Sequence, residues 1–174
     1  MQMNTKNFDY YKECFSSLHT MRRGGKPAPH KALLLLSVID LIERGVITNC
    51  RVPLSEELER KFKHNVSTLL GDSLLFQPRL SYPYYHLRSE PFWTLVSPNG
   101  SQVPTIYNYS TSNLRKHISY ARIDEELFHL LQNPNVRAKL RVVLISTYLN
   151  NQPTLADNLS IWLLSLSYLT PLVA

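Results

Sequence analysis

The sequence predicts an α+β fold, a mainly helical single domain with a small antiparallel β-sheet. Three observations carry that prediction. Apolar residues recur at helical spacing through six separate segments, whereas only two short stretches, Tyr82 to His86 and Phe92 to Val96, have strand composition. The chain has 174 residues, 44% of them hydrophobic, enough for one core and too apolar for a disordered polypeptide. Only 5 residues are glycine, which excludes a collagen-like repeat.

Phe8 to Met21 reads as a first amphipathic helix, with Phe8, Tyr11, Phe15 and Leu18 on one face. The breaker cluster Arg22-Arg23-Gly24-Gly25-Lys26-Pro27-Ala28-Pro29 then requires a loop. His30 to Arg44 follows as a central helix, apolar nearly all round, with Gly45 placed to end it. Pro53-Leu54-Ser55-Glu56-Glu57 opens a third helix, acids in its first turn and Arg60, Lys61 and Lys63 later, as the helix dipole prefers. Tyr82 to His86 and Phe92 to Val96 read as two strands around a turn containing Glu90 and Pro91. Ser112 to Ser119, Asp124 to Gln132 and Asn135 to Asn150 complete the helices, with Pro134 at a helix start. The expected division is a domain over residues 1–150 and an apolar tail of unknown role over 151–174.

Nineteen Lys and Arg oppose 13 Asp and Glu, a formal charge of +6. That excess disfavours an acidic protein-binding tail and favours a polyanionic partner. Two cysteines, Cys14 and Cys50, make no disulfide framework, and without a CxxC pair there is no structural zinc signature. The amino terminus is polar, without a secretory signal, and the uncharged stretch Ile161 to Ala174 is too short to span a bilayer. The expectation is a cytoplasmic protein with no membrane partner and no cofactor.

The charge is unevenly placed. Between Glu13 and Asp40 there is no acid, yet Arg22, Arg23, Lys26 and Lys31 are present. Arg79 and Arg88 are likewise unopposed between Asp72 and Glu90, as are Arg115, Lys116 and Arg122 between Glu90 and Asp124. The residues before His30-Lys31 include no Ser, Thr, Asp or Asn to cap the helix start. A helix opening preceded by a Gly-Gly loop and basic residues suits a phosphate; the other reading is capping by water or a distant side chain. In Arg79-Leu80-Ser81-Tyr82-Pro83-Tyr84-Tyr85-His86-Leu87-Arg88, arginines flank aromatics. That pattern suits a nucleic-acid surface, and it equally suits a half-buried strand with alternate tyrosines in the core.

Taken together and in order, Ala28-Pro29-His30-Lys31-Ala32-Leu33-Leu34-Leu35-Leu36, Tyr82-Pro83-Tyr84-Tyr85-His86-Leu87 and Phe92-Trp93 resemble one family. It is the DNA sulfur-binding domain of McrA-type HNH restriction endonucleases, and the resemblance runs from about Met21 to Tyr148, including Ala121-Arg122-Ile123-Asp124-Glu125-Glu126-Leu127. It implies a reader of double-stranded DNA carrying phosphorothioate linkages, in which sulfur replaces one non-bridging phosphate oxygen. By position, the resemblance assigns sulfur binding to His30, Lys31, Tyr82, Pro83 and His86. His86 falls where the family can present a small residue, and Lys31 where arginine also occurs, although the two bases contact phosphate differently. Arg22, Arg23, Lys26, Arg79 and Arg88, together with Lys31, are the expected contacts to flanking phosphates.

The same resemblance implies that any nuclease activity belongs to a separate or fused HNH domain, so no catalytic and no metal-binding residue is expected here. The competing enzymatic reading is a small HNH-type nuclease built on His86, Asn108 and His117. It lacks an acidic partner beside His86 and overlaps the sulfur-pocket segment. Glu59-Arg60-Lys61 mimics the ExK of another nuclease class, in a helix whose many charges suit a solvated face. His19, His64 and His129 read as surface or core residues. A third reading is a generic basic DNA-binding module, and a fourth an adaptor docking through the apolar tail.

Overall fold

The computed structural model describes residues 6–23, 26–71 and 79–150. The order of elements is α1 (Phe8–Ser16), β1 (Arg22–Arg23), β2 (Lys26–Pro27), α2 (His30–Glu43), β3 (Arg51–Val52), α3 (Glu56–Leu70), α4 (Ser81–His86), a 3₁₀ turn (Leu87–Ser89), β4 (Trp93–Val96), α5 (Thr111–His117), β5 (Tyr120–Ile123), α6 (Glu125–Leu130) and α7 (Pro134–Tyr148). The predicted α+β architecture, mainly helical with a small antiparallel sheet, is what these residues form. The 151–174 tail lies outside the described residues.

Helix α2 is the centre of the molecule. Every residue from Lys31 to Ile42 is buried, and α3, α4 and α7 pack around it. An apolar surface all round a helix requires cover on every side, and the flanking elements supply it. Its few polar groups are satisfied rather than exposed: Asp40 pairs with Lys61 at 2.9 Å and Arg141 at 2.9 Å, and accepts from Asn65. Gly45 follows at φ +69°, the left-handed conformation that ends the helix without a Cβ penalty. Helix α3 starts as its sequence dictates, with the Ser55 hydroxyl capping the N–H of Leu58.

Helix α1 is shorter than its periodicity predicts. The Ser16 and Ser17 hydroxyls both donate to the Glu13 carbonyl, drawing the last turn closed. The chain then leaves the helix so that the N–H groups of Leu18 and His19 reach the Tyr148 hydroxyl and the Glu90 carboxylate. The predicted loop after it contains a hairpin, β1–β2, pairing Arg22 with Pro27 and Arg23 with Lys26. An Ala28 N–H to Met21 carbonyl bond of 2.8 Å extends it.

The larger correction concerns Tyr82 to His86, which forms helix α4 and not a strand. The three-stranded sheet has the order β3–β5–β4, so Trp93 to Val96 pairs with β5 and not with the tyrosine segment. Tyrosine enrichment favours strands, but two side chains decide against it here. The buried Tyr84 hydroxyl donates to the Val52 carbonyl (2.7 Å) and accepts from the Ala121 N–H (2.8 Å), at the registered Val52–Ala121 pair of the sheet. The Tyr85 hydroxyl accepts from the Ile106 N–H at 2.9 Å. Pro83 lies in the first turn of α4, where its missing N–H breaks no helical bond.

Candidate nucleic-acid interface

Folding 81–86 as a helix determines which side chains share a face. A strand would set Tyr82, Tyr84 and His86 on one side and Pro83 and Tyr85 on the other. The helical turn instead turns Tyr84 and Tyr85 into the core, at zero exposure, and leaves Tyr82, Pro83 and His86 together on the opposite side. That side faces the start of α2, and between them lies a cavity of about 450 Å³.

His30 and Lys31, from the first turn of α2, form one wall; Tyr82, Pro83 and His86 form the other. Thus all five residues assigned to the sulfur site come together around one cavity. Met21 and Ala28, the residues closing the hairpin base, complete the lining with His19, Thr20, Arg88 and Ser89. Tyr82 is 47% exposed and Met21 80% exposed, so two large apolar surfaces stand open at the mouth. The N-cap of α2 is Pro29, and no side chain caps this helix start.

The rings are held from behind. Tyr109, in the segment before α5, packs on Tyr82 (4.8 Å between centroids), His86 (5.1 Å) and Tyr85 (5.3 Å). The Arg88 guanidinium lies 4.0 Å over the Tyr85 ring, in cation–π geometry. Burial, reinforced by the positive charges of Lys31 and Arg88, holds the His86 imidazole below its ordinary pKa. At neutral pH it is therefore an uncharged aromatic wall.

Below this wall sits a charge cluster. The Lys31 ammonium donates to Glu90 (2.5 Å) and to the Ser89 hydroxyl (2.7 Å). Glu90 is 4% exposed and also accepts from the His19 N–H at 3.0 Å, while His19 Nδ1 lies 3.1 Å from its second oxygen. Burial alone would push the Glu90 carboxyl up, but the hydrogen bonds from Lys31 and His19 outweigh it and hold the carboxyl below its ordinary range.

The remaining basic residues are dispersed. Arg22 is exposed on β1, and of Arg23 and Lys26 only the backbone pairing is described. Arg79 is exposed beside a separate cavity shared with Glu59, Lys63 and Ser110. The alternative nuclease constellations are not assembled in the same way. Asn108 uses its side chain on the Ser110 N–H, and His117 ends α5. Glu59 pairs with Lys63, whereas Lys61 turns to buried Asp40. Among the described residues, no group of three or more His, Cys, Asp or Glu is arranged to hold a metal ion, and no helix is long and apolar enough to cross a membrane.

Sequence reasoning missed Tyr109 and the role of Glu90. Tyr109 carries no motif, and Glu90 reads as a turn acid because its partner Lys31 is remote in the chain. An acid immediately after the aromatic–arginine segment was the available signal for Glu90.

The family model for the ScoMcrA-like DNA sulfur-binding domain matches residues 10–159. Among solved structures, the sulfur-binding domain of SprMcrA, determined in complex with phosphorothioated DNA, shares this fold with a TM-score of 0.64. At 18% identity the superposition covers 90% of this chain and 95% of that one. No curated protein matches.

Proposed function

This chain belongs to the ScoMcrA-like DNA sulfur-binding domain family, and from that premise we propose that it reads phosphorothioate-modified double-stranded DNA through the cavity between α2 and α4. The observation that carries the proposal is the convergence of His30, Lys31, Tyr82, Pro83 and His86 on that one cavity. The SprMcrA domain of like fold, solved with phosphorothioated DNA, supports the same reading.

The chemistry follows from the walls. A phosphorothioate sulfur is larger and more polarizable than oxygen and a poorer hydrogen-bond acceptor. Packed against the Pro83 ring, the Tyr82 face and the neutral His86 ring, it loses little hydration. An ordinary phosphate oxygen in the same place loses its water without replacement, at a cost of about 1–3 kcal/mol. Discrimination thus comes partly from rejecting the unmodified backbone. Affinity comes from Arg22, Arg79 and Arg88, with Arg23 and Lys26 of the hairpin, on neighbouring phosphates.

On this reading the domain binds without cutting, any associated HNH nuclease acts as a separate unit, and the protein works on DNA in the cytoplasm. The test is a competition titration at fixed salt between duplexes of identical sequence, with and without one Rp phosphorothioate. Tighter binding of the sulfur duplex is expected. Equal binding in every sequence context would leave a generic basic DNA-binding module, and metal-dependent cleavage of modified plasmid would restore the nuclease reading.

A further inference from the structure

We propose that Glu90 is a specificity-determining residue, which acts by neutralising Lys31 so that the ammonium at the start of α2 does not seat a phosphate in the cavity; this inference rests on the sulfur-reading function above. Lys31 stands in the cavity wall at a helix start that no side chain caps. An uncompensated ammonium in that position would be an anion seat. It would attract modified and unmodified backbones alike, and as a compact, strongly hydrated point charge it would favour the oxygen, the better acceptor.

The structure gives this ammonium other partners. Its Nζ reaches Glu90 and Ser89, and the Ser89 hydroxyl itself lies 3.1 Å from the same Glu90 oxygen. The two charged side chains are nearly sealed, 9% exposed for Lys31 and 2% for Glu90. Glu90 is fixed in turn by the His19 backbone, so the pair cannot swing toward the mouth without breaking several bonds at once. Lys31 therefore presents its aliphatic stem to the cavity while its charge is cancelled beneath it. With the Lys31 charge cancelled at this wall, contact with sulfur or loss of water from oxygen decides there which backbone is held.

Four full-length proteins test this: wild type, Glu90→Gln, Lys31→Met, and the double variant Lys31→Met with Glu90→Gln. Each is titrated at one salt concentration with matched plain and Rp phosphorothioate duplexes. Glu90→Gln is expected to bind plain duplex about five- to tenfold more tightly, with a correspondingly lower sulfur-to-oxygen ratio. Lys31→Met, which leaves a buried carboxylate uncompensated, is expected to weaken binding of both duplexes. The double variant removes both charges and is expected to regain affinity relative to Lys31→Met and sulfur-to-oxygen ratio relative to Glu90→Gln. If Glu90→Gln fails to fold, the comparison of Lys31→Met with the double variant still decides. Failure of the double variant to recover would make Lys31 a direct phosphate contact and overturn the inference. An unchanged ratio in folded Glu90→Gln would overturn it as well. A wild type without sulfur preference would instead overturn the functional reading beneath it.

Discussion

Replacing Tyr84 with phenylalanine removes one oxygen from the interior and tests how α4 is held. That hydroxyl is fully buried, donates to the Val52 carbonyl at 2.7 Å and accepts from the Ala121 N–H at 2.8 Å. Burial keeps the phenol well above its ordinary pKa, so it remains a donor across the accessible pH range. Its loss strands one backbone acceptor and one backbone donor, each at about 1–3 kcal/mol if no new partner reaches it. Partial closure of the β3–β5 ladder recovers some of this, so the expected destabilisation is about 2–4 kcal/mol. The aromatic ring and its edge contact with Trp93, 5.5 Å between centroids, remain. Urea unfolding monitored by tryptophan fluorescence measures the difference through the midpoint at constant m-value. Tyr85→Phe, which strands only the Ile106 N–H, provides the comparison and should cost roughly half as much. A Tyr84→Phe variant within about 0.5 kcal/mol of wild type would refute the argument that this hydroxyl fixes α4 against the sheet.

Three further outcomes are expected. Tyr82→Ala and Pro83→Ala should each lose most of the preference for sulfur while retaining weak binding to plain duplex, which a matched-duplex competition reads directly. Arg22→Ala and Arg79→Ala should weaken both duplexes by a similar factor, and each should reduce the slope of log K against log salt by about one. Glu90 has a folded-state pKa below its unfolded one, so its contribution to stability is complete above the ordinary carboxylate range and is lost as pH falls through the depressed value. Urea midpoints measured from neutral pH downward should therefore fall more steeply for wild type than for Glu90→Gln.

What the sequence could show depended on whether the deciding interaction was local. Helix α2 was legible because its apolar run, its terminating Gly45 and its lack of a capping residue all lie within one segment. Helix α3 was legible from Ser55 and the acids that follow it. Tyr82 to His86 was not, because its local composition favours a strand and the bonds that overrule it come from Val52, Ala121 and Ile106. The five residues that the structure brings around one cavity were grouped through the resemblance and not through periodicity. Read as a strand, the same segment could not have placed Tyr82, Pro83 and His86 on one face. The pairing of Lys31 with Glu90 spans 59 positions, so the acid after the aromatic–arginine segment was visible but its partner was not.

The most direct test of the account is an equilibrium competition at fixed salt between two duplexes that differ only by one Rp phosphorothioate, repeated over several flanking sequences. The stripped hydration of a phosphate oxygen in the cavity, about 1–3 kcal/mol, predicts a preference of about 5- to 150-fold for the sulfur duplex in at least one context. Equal affinities in every context would contradict it.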